Sequence, residues 1–280
     1  MAGARRARRR PGVTDVVAAL AVVGVAVLVF VIRFDRPERH ASGDTYFYAL
    51  QAERFAGYGT EAAQRSANRL VCADLVRGLR LDGRITKSCP GYEAITSPRY
   101  VAIFTSRPLW PLLLAPGVRL FGLPRAMILG SLVGAVMAAL AVFLALRGLG
   151  SSAVAAGAAG VAFSLLPTGY WSDKLLPEGA VLAALVAGMY GGARLVRGHL
   201  RGLAWLLPAL VALYAFKPAN GAALALGVLV AGLVLLPLPR GRRWALVLAG
   251  TGAAGILGWF AVSSALHLPS FYETVQDLAT

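Results

Sequence analysis

Apolar runs of about twenty residues recur along the chain, and one long polar stretch separates the first run from the others. A helix of about twenty apolar residues crosses a bilayer core of roughly 30 Å. Hydrophobic residues make up 58% of the chain and charged residues 15%, whereas a soluble domain carries about a quarter charged residues. The pattern therefore predicts an all-α fold, a polytopic bundle of about seven transmembrane helices.

The order of these runs divides the chain into five parts. Residues 1–12 form a basic segment that we expect in the cytoplasm, and residues 13–33 form the first transmembrane helix. That run exceeds the 7–15 apolar residues of a signal peptide, and no small-residue cleavage site follows it, so we predict that it is not cleaved. Residues 34–124 form a long external loop, in which 45–55 and 61–81 are compatible with amphipathic helices, and residues 268–280 form an external tail. Six further spans are predicted between residues 125 and 267, at 125–146, 152–170, 177–196, 202–216, 218–236 and 244–267.

The net charge of +15 comes from twenty-five arginines and three lysines against thirteen acidic residues. Such a charge can indicate nucleic-acid binding, but many of these arginines lie in short loops between apolar runs. Lys and Arg accumulate on the cytoplasmic side of membrane proteins, so we predict no nucleic-acid partner. Together with the Ala, Arg and Gly bias, this favours a multi-pass protein of the bacterial cytoplasmic (inner) membrane, with a cytoplasmic N-terminus.

One apolar run does not fit a span. Residues 109–123 are short for a crossing and contain Pro111, Pro116 and Arg119, and prolines kink or break helices. If this run crossed the membrane, the arginine clusters of every later loop would move to the outer side, against the positive-inside rule. We therefore predict an interfacial or re-entrant helix here.

The long polar stretch holds eight of the thirteen acidic residues, and Asp44 is its leading candidate for a catalytic residue. A carboxylate near the membrane surface can act as a general base on an acceptor hydroxyl or amine. It could instead hold a divalent metal ion. The structural alternative is that Ser42 or Asp44 caps the helix that follows.

A second polar group, with Asp173, Lys174 and Glu178, falls where the third predicted span ends and the fourth begins. By the predicted topology it faces the same side as Asp44. Ionisable residues near the bilayer often mark a site, and we predict that these three bind substrate. The structural alternative is helix-start chemistry, with Pro177 at the first position and Glu178 in the first turn.

Three basic residues complete the candidate substrate-binding set. Lys217 interrupts two apolar runs, and Arg107 and Arg125 flank the proline-containing run. A lysine can pair with a lipid phosphate as a point charge, and an arginine can bind one through two hydrogen bonds. Alternatively, Lys217 reaches the headgroups with no further role, and the arginines anchor the interfacial helix.

Cys72 and Cys89 are the only cysteines, and both fall in the predicted external loop. In an oxidising compartment they can form one disulfide; the alternative is two free thiols. Two cysteines without a neighbouring histidine do not provide a zinc site, and the three histidines are scattered, so no metal site is assigned. The chain also lacks the glycine-rich phosphate loop of ATP-hydrolysing proteins.

Four short segments follow one another along the chain: residues 43–48 (Gly-Asp-Thr-Tyr-Phe-Tyr) early in the first loop, the proline-containing run at 106–113, the span that starts near Arg125, and the charged loop at 171–178. Together they resemble the GT-C superfamily of membrane glycosyltransferases. The resemblance implies a polyprenyl-phosphate-linked sugar as donor, with membrane lipids as the surroundings. It also implies that Asp44 is the base or acceptor-orienting group.

The same resemblance implies that Arg107, Arg125 and Lys217 contact the donor phosphate, and that Asp173 and Glu178 line the sugar or acceptor side. Family members often place a second acidic residue beside the first-loop Asp, where this chain has Thr45. They usually also have more spans and often an external C-terminal domain. Two other functions stay open. The first is a non-catalytic membrane protein that shares the N-terminal transmembrane module of this superfamily. The second is a transporter or lipid flippase, for which two matching halves with broken helices would be typical. Neither the sugar nor the oligomeric state follows from the sequence.

Overall fold

The computed structural model describes residues 12–34, 41–81, 98–238 and 241–268, and all regular elements in these ranges are helices. The described ranges contain twelve α-helices and one 3-10 turn at Leu200–Gly202. Their bounds are α1 Val13–Phe34, α2 Gly43–Phe55, α3 Thr60–Leu81, α4 Pro98–Thr105, α5 Leu109–Phe121, α6 Leu123–Gly148, α7 Ala153–Leu165, α8 Pro167–Ser172, α9 Glu178–Val196, α10 Leu203–Phe216, α11 Pro218–Leu235 and α12 Arg242–Ala265.

Five of the described helices are long and apolar enough to cross a membrane: α1, α6, α9, α11 and α12. This confirms a multi-pass helical membrane protein. Two other predicted spans, 152–170 and 202–216, contain the shorter helices α7 and α10, of 13 and 14 residues. The first is interrupted at Leu166, which is extended because a residue before proline avoids helical geometry, and α8 then starts at Pro167.

Contacts between helix termini define two ends of the bundle. At one end, the start of α1 meets the end of α6, where Arg147 pairs with Asp15 at 2.6 Å, and Arg197 donates to the Leu149 carbonyl. We call this the arginine end, because Arg147, Arg194, Arg197, Arg201, Arg242 and Arg243 occur on or beside its helix termini. Among the acidic residues of the described ranges, Asp15 is the only one located there.

The opposite end, which we call the site end, carries the helices of the first loop. Helix α2 packs on α3 and α5, and three polar contacts tie these elements together. Glu53 of α2 accepts from the Ser66 hydroxyl at 2.7 Å, Asp74 of α3 accepts from the Ala41 backbone N–H at 2.8 Å, and Arg119 of α5 donates to the Ala56 carbonyl at 2.7 Å. The first loop is therefore largely helical, and the stretches predicted at 45–55, 61–81 and 109–123 coincide with α2, α3 and α5.

Helices α6 and α9 form the centre of the bundle and meet through glycines. A Cβ placed on Gly179 would lie 2.5 Å from the carbonyl carbon of Gly134, and one placed on Gly134 would lie 3.1 Å from the Ala180 nitrogen. Small residues allow such close approach of two membrane helices. Because Gly179 directly follows Glu178, this backbone contact fixes where the first residue of α9 lies relative to α6.

Candidate functional site

Asp44 lies in the first turn of α2, with its side chain 37% exposed. The helix starts at its N-cap Ser42, whose backbone N–H donates to the Thr45 hydroxyl at 2.9 Å. Of the two capping residues considered from the sequence, Ser42 therefore holds the N-cap position. The Asp44 carboxylate faces Arg107 instead, at 4.0 Å from its Nη1 atom. This distance is the outer limit of an ion pair, so Asp44 stays accessible and loosely held.

Tyr48 lies one helical turn after Asp44 and is completely buried. Residues four apart share one face of a helix, so Asp44 and Tyr48 point in the same direction. The Tyr48 hydroxyl lies 3.5 Å from Arg107 Nη1. Burial raises the pKa of the Tyr48 phenol far above its ordinary value of 10.0, Arg107 lowers it, and the charges of Asp44 and Glu178 raise it further. Tyr48 is therefore neutral at physiological pH and keeps its proton.

Arg107 lies in the turn between α4 and α5, where Pro108 starts α5. Its guanidinium lies over the buried ring of Phe104, 5.1 Å from the ring centre, and Phe104 in turn stacks on Phe47 of α2 at 4.5 Å. The guanidinium is thus held against an aromatic support between Asp44 and Tyr48. Its Nε atom is buried and has no hydrogen-bond partner among the residues that the structure describes, so one strong donor remains unused there.

Glu178 and Lys217 form a second charged pair at this end. Glu178 is the first residue of α9, and Lys217 joins α10 to α11. Lys217 is extended because Pro218 follows it, and its Nζ atom contacts Glu178 Oε1. The other carboxylate oxygen, Oε2, is buried and has no partner within the described part of the chain. A buried carboxylate oxygen left unsatisfied is costly, and it marks a place where a ligand could donate a hydrogen bond.

We group the two pairs, because the charges of both Asp44 and Glu178 raise the pKa of the Tyr48 phenol. We call Asp44, Tyr48, Arg107, Glu178 and Lys217 the site cluster. It combines an accessible carboxylate with two cations, on elements that are far apart in sequence. Such a set can accept a proton and stabilise an anion at neighbouring positions.

The other predicted site residues lie elsewhere at the site end. Asp173 is buried and pairs with Arg33 at 2.9 Å, and Arg33 also donates to the Leu165 carbonyl at 3.0 Å. We call this contact the Arg33 latch, because it joins the end of α1 to the turns around α8. Lys174 contacts the Tyr170 hydroxyl at 2.7 Å, and Arg125 is exposed on the first turn of α6.

Sequence reasoning did not assign a site role to Tyr48 or a structural role to Arg33. The signal for Tyr48 was present, since its spacing from Asp44 matches one helical turn. No sequence signal pairs Arg33 with Asp173, which lies 140 residues further on. The predicted Cys72–Cys89 disulfide stays a prediction, because Cys89 lies outside the described residues. In those ranges, no three His, Cys, Asp or Glu side chains come together as a metal site.

Comparison with family models, curated proteins and solved structures found no match to this chain. The class that the fold defines is therefore the multi-pass helical membrane protein. What this particular protein does has to be argued from the site cluster.

Proposed function

We propose that the protein is a membrane glycosyltransferase that moves a sugar from a polyprenyl-phosphate donor to an acceptor on the outer face of a bacterial cytoplasmic membrane. The observation that carries this proposal is the site cluster. Asp44 and Tyr48 from α2, Arg107 from the α4–α5 turn, Glu178 from α9 and Lys217 from the α10–α11 junction converge at one end of the bundle.

The cluster fits the chemistry of such a transfer. In the proposed reaction, an acceptor hydroxyl oxygen bonds to the anomeric carbon of the sugar while the bond from that carbon to the phosphate oxygen breaks. The electron pair of the broken bond leaves on the lipid phosphate, and the hydroxyl proton passes to the Asp44 carboxylate. Arg107 stabilises the leaving phosphate, and its unused buried Nε–H is a ready donor for this purpose.

Glu178 and Lys217 have complementary roles in this proposal. Lys217 adds positive charge near the phosphate while it stays paired with Glu178. The free Oε2 atom of Glu178 accepts a hydrogen bond from a sugar or acceptor hydroxyl. The Tyr48 hydroxyl accepts a hydrogen bond from Arg107 and so holds it in place, and the raised pKa keeps the phenol neutral.

The proposed topology has seven crossings, in which α7 and α10 cross together with the five longer helices. Their termini support this count, since α7 ends at Leu165 beside Arg33 and α10 ends at Lys217 beside Glu178. The positive-inside rule then assigns the arginine end to the cytoplasm and the site end to the outside. A lipid-linked donor would reach the site cluster from the outer leaflet.

The test is donor turnover by the purified full-length protein in lipid vesicles, supplied with polyprenyl-phosphate sugars and assayed for release of the lipid phosphate. We expect release by the wild-type protein and a fall of about 10²-fold or more in Asp44→Asn, the range for loss of a general base. Glu61→Gln is the matched control, since Glu61 is an exposed first-turn acid of α3 that pairs only with exposed Arg65 among the described contacts.

The outcomes separate the competing functions. Release that survives in Asp44→Asn would overturn the assignment of the base. No release by a folded wild-type protein with any sugar would favour a non-catalytic relative. Movement of the intact donor between leaflets without release would favour a flippase.

A further inference from the structure

A narrow apolar groove runs along the bundle surface, away from the site cluster. It lies between α9 and α11, has Leu248 of α12 at its base, and encloses about 440 Å³. Its α9 wall runs from Leu185 to Val196, the half of that helix nearest the arginine end. At 1.5 Å per residue this wall is about 16 Å long, which matches half of a bilayer core of about 30 Å. The groove therefore has the length of one leaflet.

A surface groove of this length in a membrane protein faces the hydrocarbon chains of one leaflet. The walls also suit a hydrocarbon chain, since they are built from Gly, Ala, Val, Leu and Met side chains such as Gly192, Gly227 and Ala231.

Positive charge lies at the mouth of the groove. Trp244 lies one helical turn before Leu248, and its indole nitrogen approaches Gly198 at the end of α9. The Arg243 guanidinium lies 5.3 Å from the centre of the Trp244 ring. Tryptophan and arginine at a membrane interface meet the lipid headgroups.

The start of α12 adds a second reason to expect an anion there. Its first turn contains Arg242 and Arg243 and no acidic residue, and its N-cap Gly241 offers no side chain. The N-terminus of a helix already carries partial positive charge, so cations there are unfavourable unless an anion neutralises them. A phosphate is the anion that both a helix N-terminus and arginines bind well.

We infer that this groove binds one acyl chain of an anionic phospholipid from the leaflet at the arginine end, with the lipid phosphate held by Arg243 and the start of α12. The inference is independent of the proposed transferase function, because the groove and the site cluster lie on different halves of α9. The bound lipid fills the space between α9 and α11 and contacts both helices.

Native mass spectrometry of the detergent-purified full-length protein tests this inference. Dioleoylphosphatidylglycerol and dioleoylphosphatidylcholine serve as probes, because they have the same chains and differ in headgroup charge. We expect one saturable bound phosphatidylglycerol per protein and at least about fivefold weaker phosphatidylcholine binding, since each basic residue near a headgroup contributes about 1 kcal/mol.

Two variants test the binding of the acyl chain and the binding of the headgroup separately. Gly227 lines the groove and a Cβ there meets open space, so Gly227→Leu fills the groove without a clash and should weaken both lipids at least tenfold. Gly258→Leu is its control, since Gly258 has equally open surroundings on α12 outside the groove. Arg243→Gln should weaken phosphatidylglycerol about fivefold and leave phosphatidylcholine unchanged.

Three results would overturn the inference. They are lipid binding that never saturates, equal affinity of the wild-type protein for both lipids, and binding in Gly227→Leu equal to that in Gly258→Leu. A protein dimer that Gly227→Leu dissociates would also overturn it, since the groove would then be an interface between copies of the chain.

Discussion

The site cluster and the Arg33 latch lie at the same end of the bundle, and each pairs an arginine with an aspartate. In the latch, Arg33 binds Asp173 at 2.9 Å, and Asp173 is buried. In the site cluster, Arg107 stands 4.0 Å from Asp44, which is 37% exposed. The latch satisfies its groups with each other and with a backbone carbonyl, whereas the site cluster leaves Arg107 Nε unpartnered. Incomplete pairing, more than the presence of charge, distinguishes a place for a ligand from a structural contact.

Replacing the arginine of the site cluster should give the largest effect. Arg107→Met keeps the volume over Phe104 but removes the charge, so we expect donor turnover to fall by about 10²–10³-fold, the range for loss of one group that stabilises a developing anion. The free energy of unfolding should change little, because the Asp44 carboxylate is partly solvated without its partner. The measurement is lipid-phosphate release per folded molecule.

Replacing the arginine of the latch should have the opposite outcome. Arg33→Met leaves the buried Asp173 carboxylate without its partner, and we expect a loss of about 2–3 kcal/mol in the free energy of unfolding, somewhat below the value for a fully buried pair. Turnover per folded molecule should stay within about threefold. Thermal unfolding in detergent measures the first quantity. Equal effects of both arginine variants on turnover would remove the distinction between the two regions.

Removing the Tyr48 hydroxyl tests whether the phenol holds Arg107. Tyr48→Phe should lower turnover by about five- to tenfold, equivalent to a hydrogen bond of about 1 kcal/mol, with a change in stability of similar or smaller size. The loss should appear in kcat and leave KM nearly unchanged, because the substrate still meets Arg107. An unchanged kcat would contradict a positioning role.

The smallest expected effect is a pH dependence of stability that originates in the latch. Burial raises the pKa of Asp173 above its ordinary value of 3.8, although Arg33 and Lys174 oppose the shift. The folded protein therefore binds more protons than the unfolded chain between the ordinary and the raised pKa. Stability contributed by this group is present below pH 3.8 and is lost as pH rises through the raised value.

The matching measurement compares melting temperature against pH for the wild-type protein and Asp173→Asn. The wild-type curve should fall relative to the variant just above the ordinary carboxyl range. A parallel curve for Asp173→Asn would show that Arg33 fully offsets the effect of burial on the pKa of Asp173.

Membrane character, the helices of the first loop and the short α5 could be predicted from the sequence, because apolar period, length and proline position are local properties. The sequence could not predict which of the polar residues pair with each other. Asp173 and Glu178 are five residues apart and were predicted to act together, yet they point to different partners. Asp173 pairs with Arg33, and Glu178 pairs with Lys217. Both partners are distant in sequence and come close only in the folded bundle.

The close contact between Gly134 and Gly179 has a consequence for how this protein can diverge. The contact is between backbone atoms of α6 and α9. It fixes the position of Glu178 along α9 relative to α6, and replacing other side chains does not change that position. Helices α2 and α5 pack against α6, and Phe47 of α2 stacks on Phe104 of α4 beside them. We therefore expect substrate preference among related chains to change through residues of α2 and the α4–α5 turn, while Gly134 and Gly179 stay invariant.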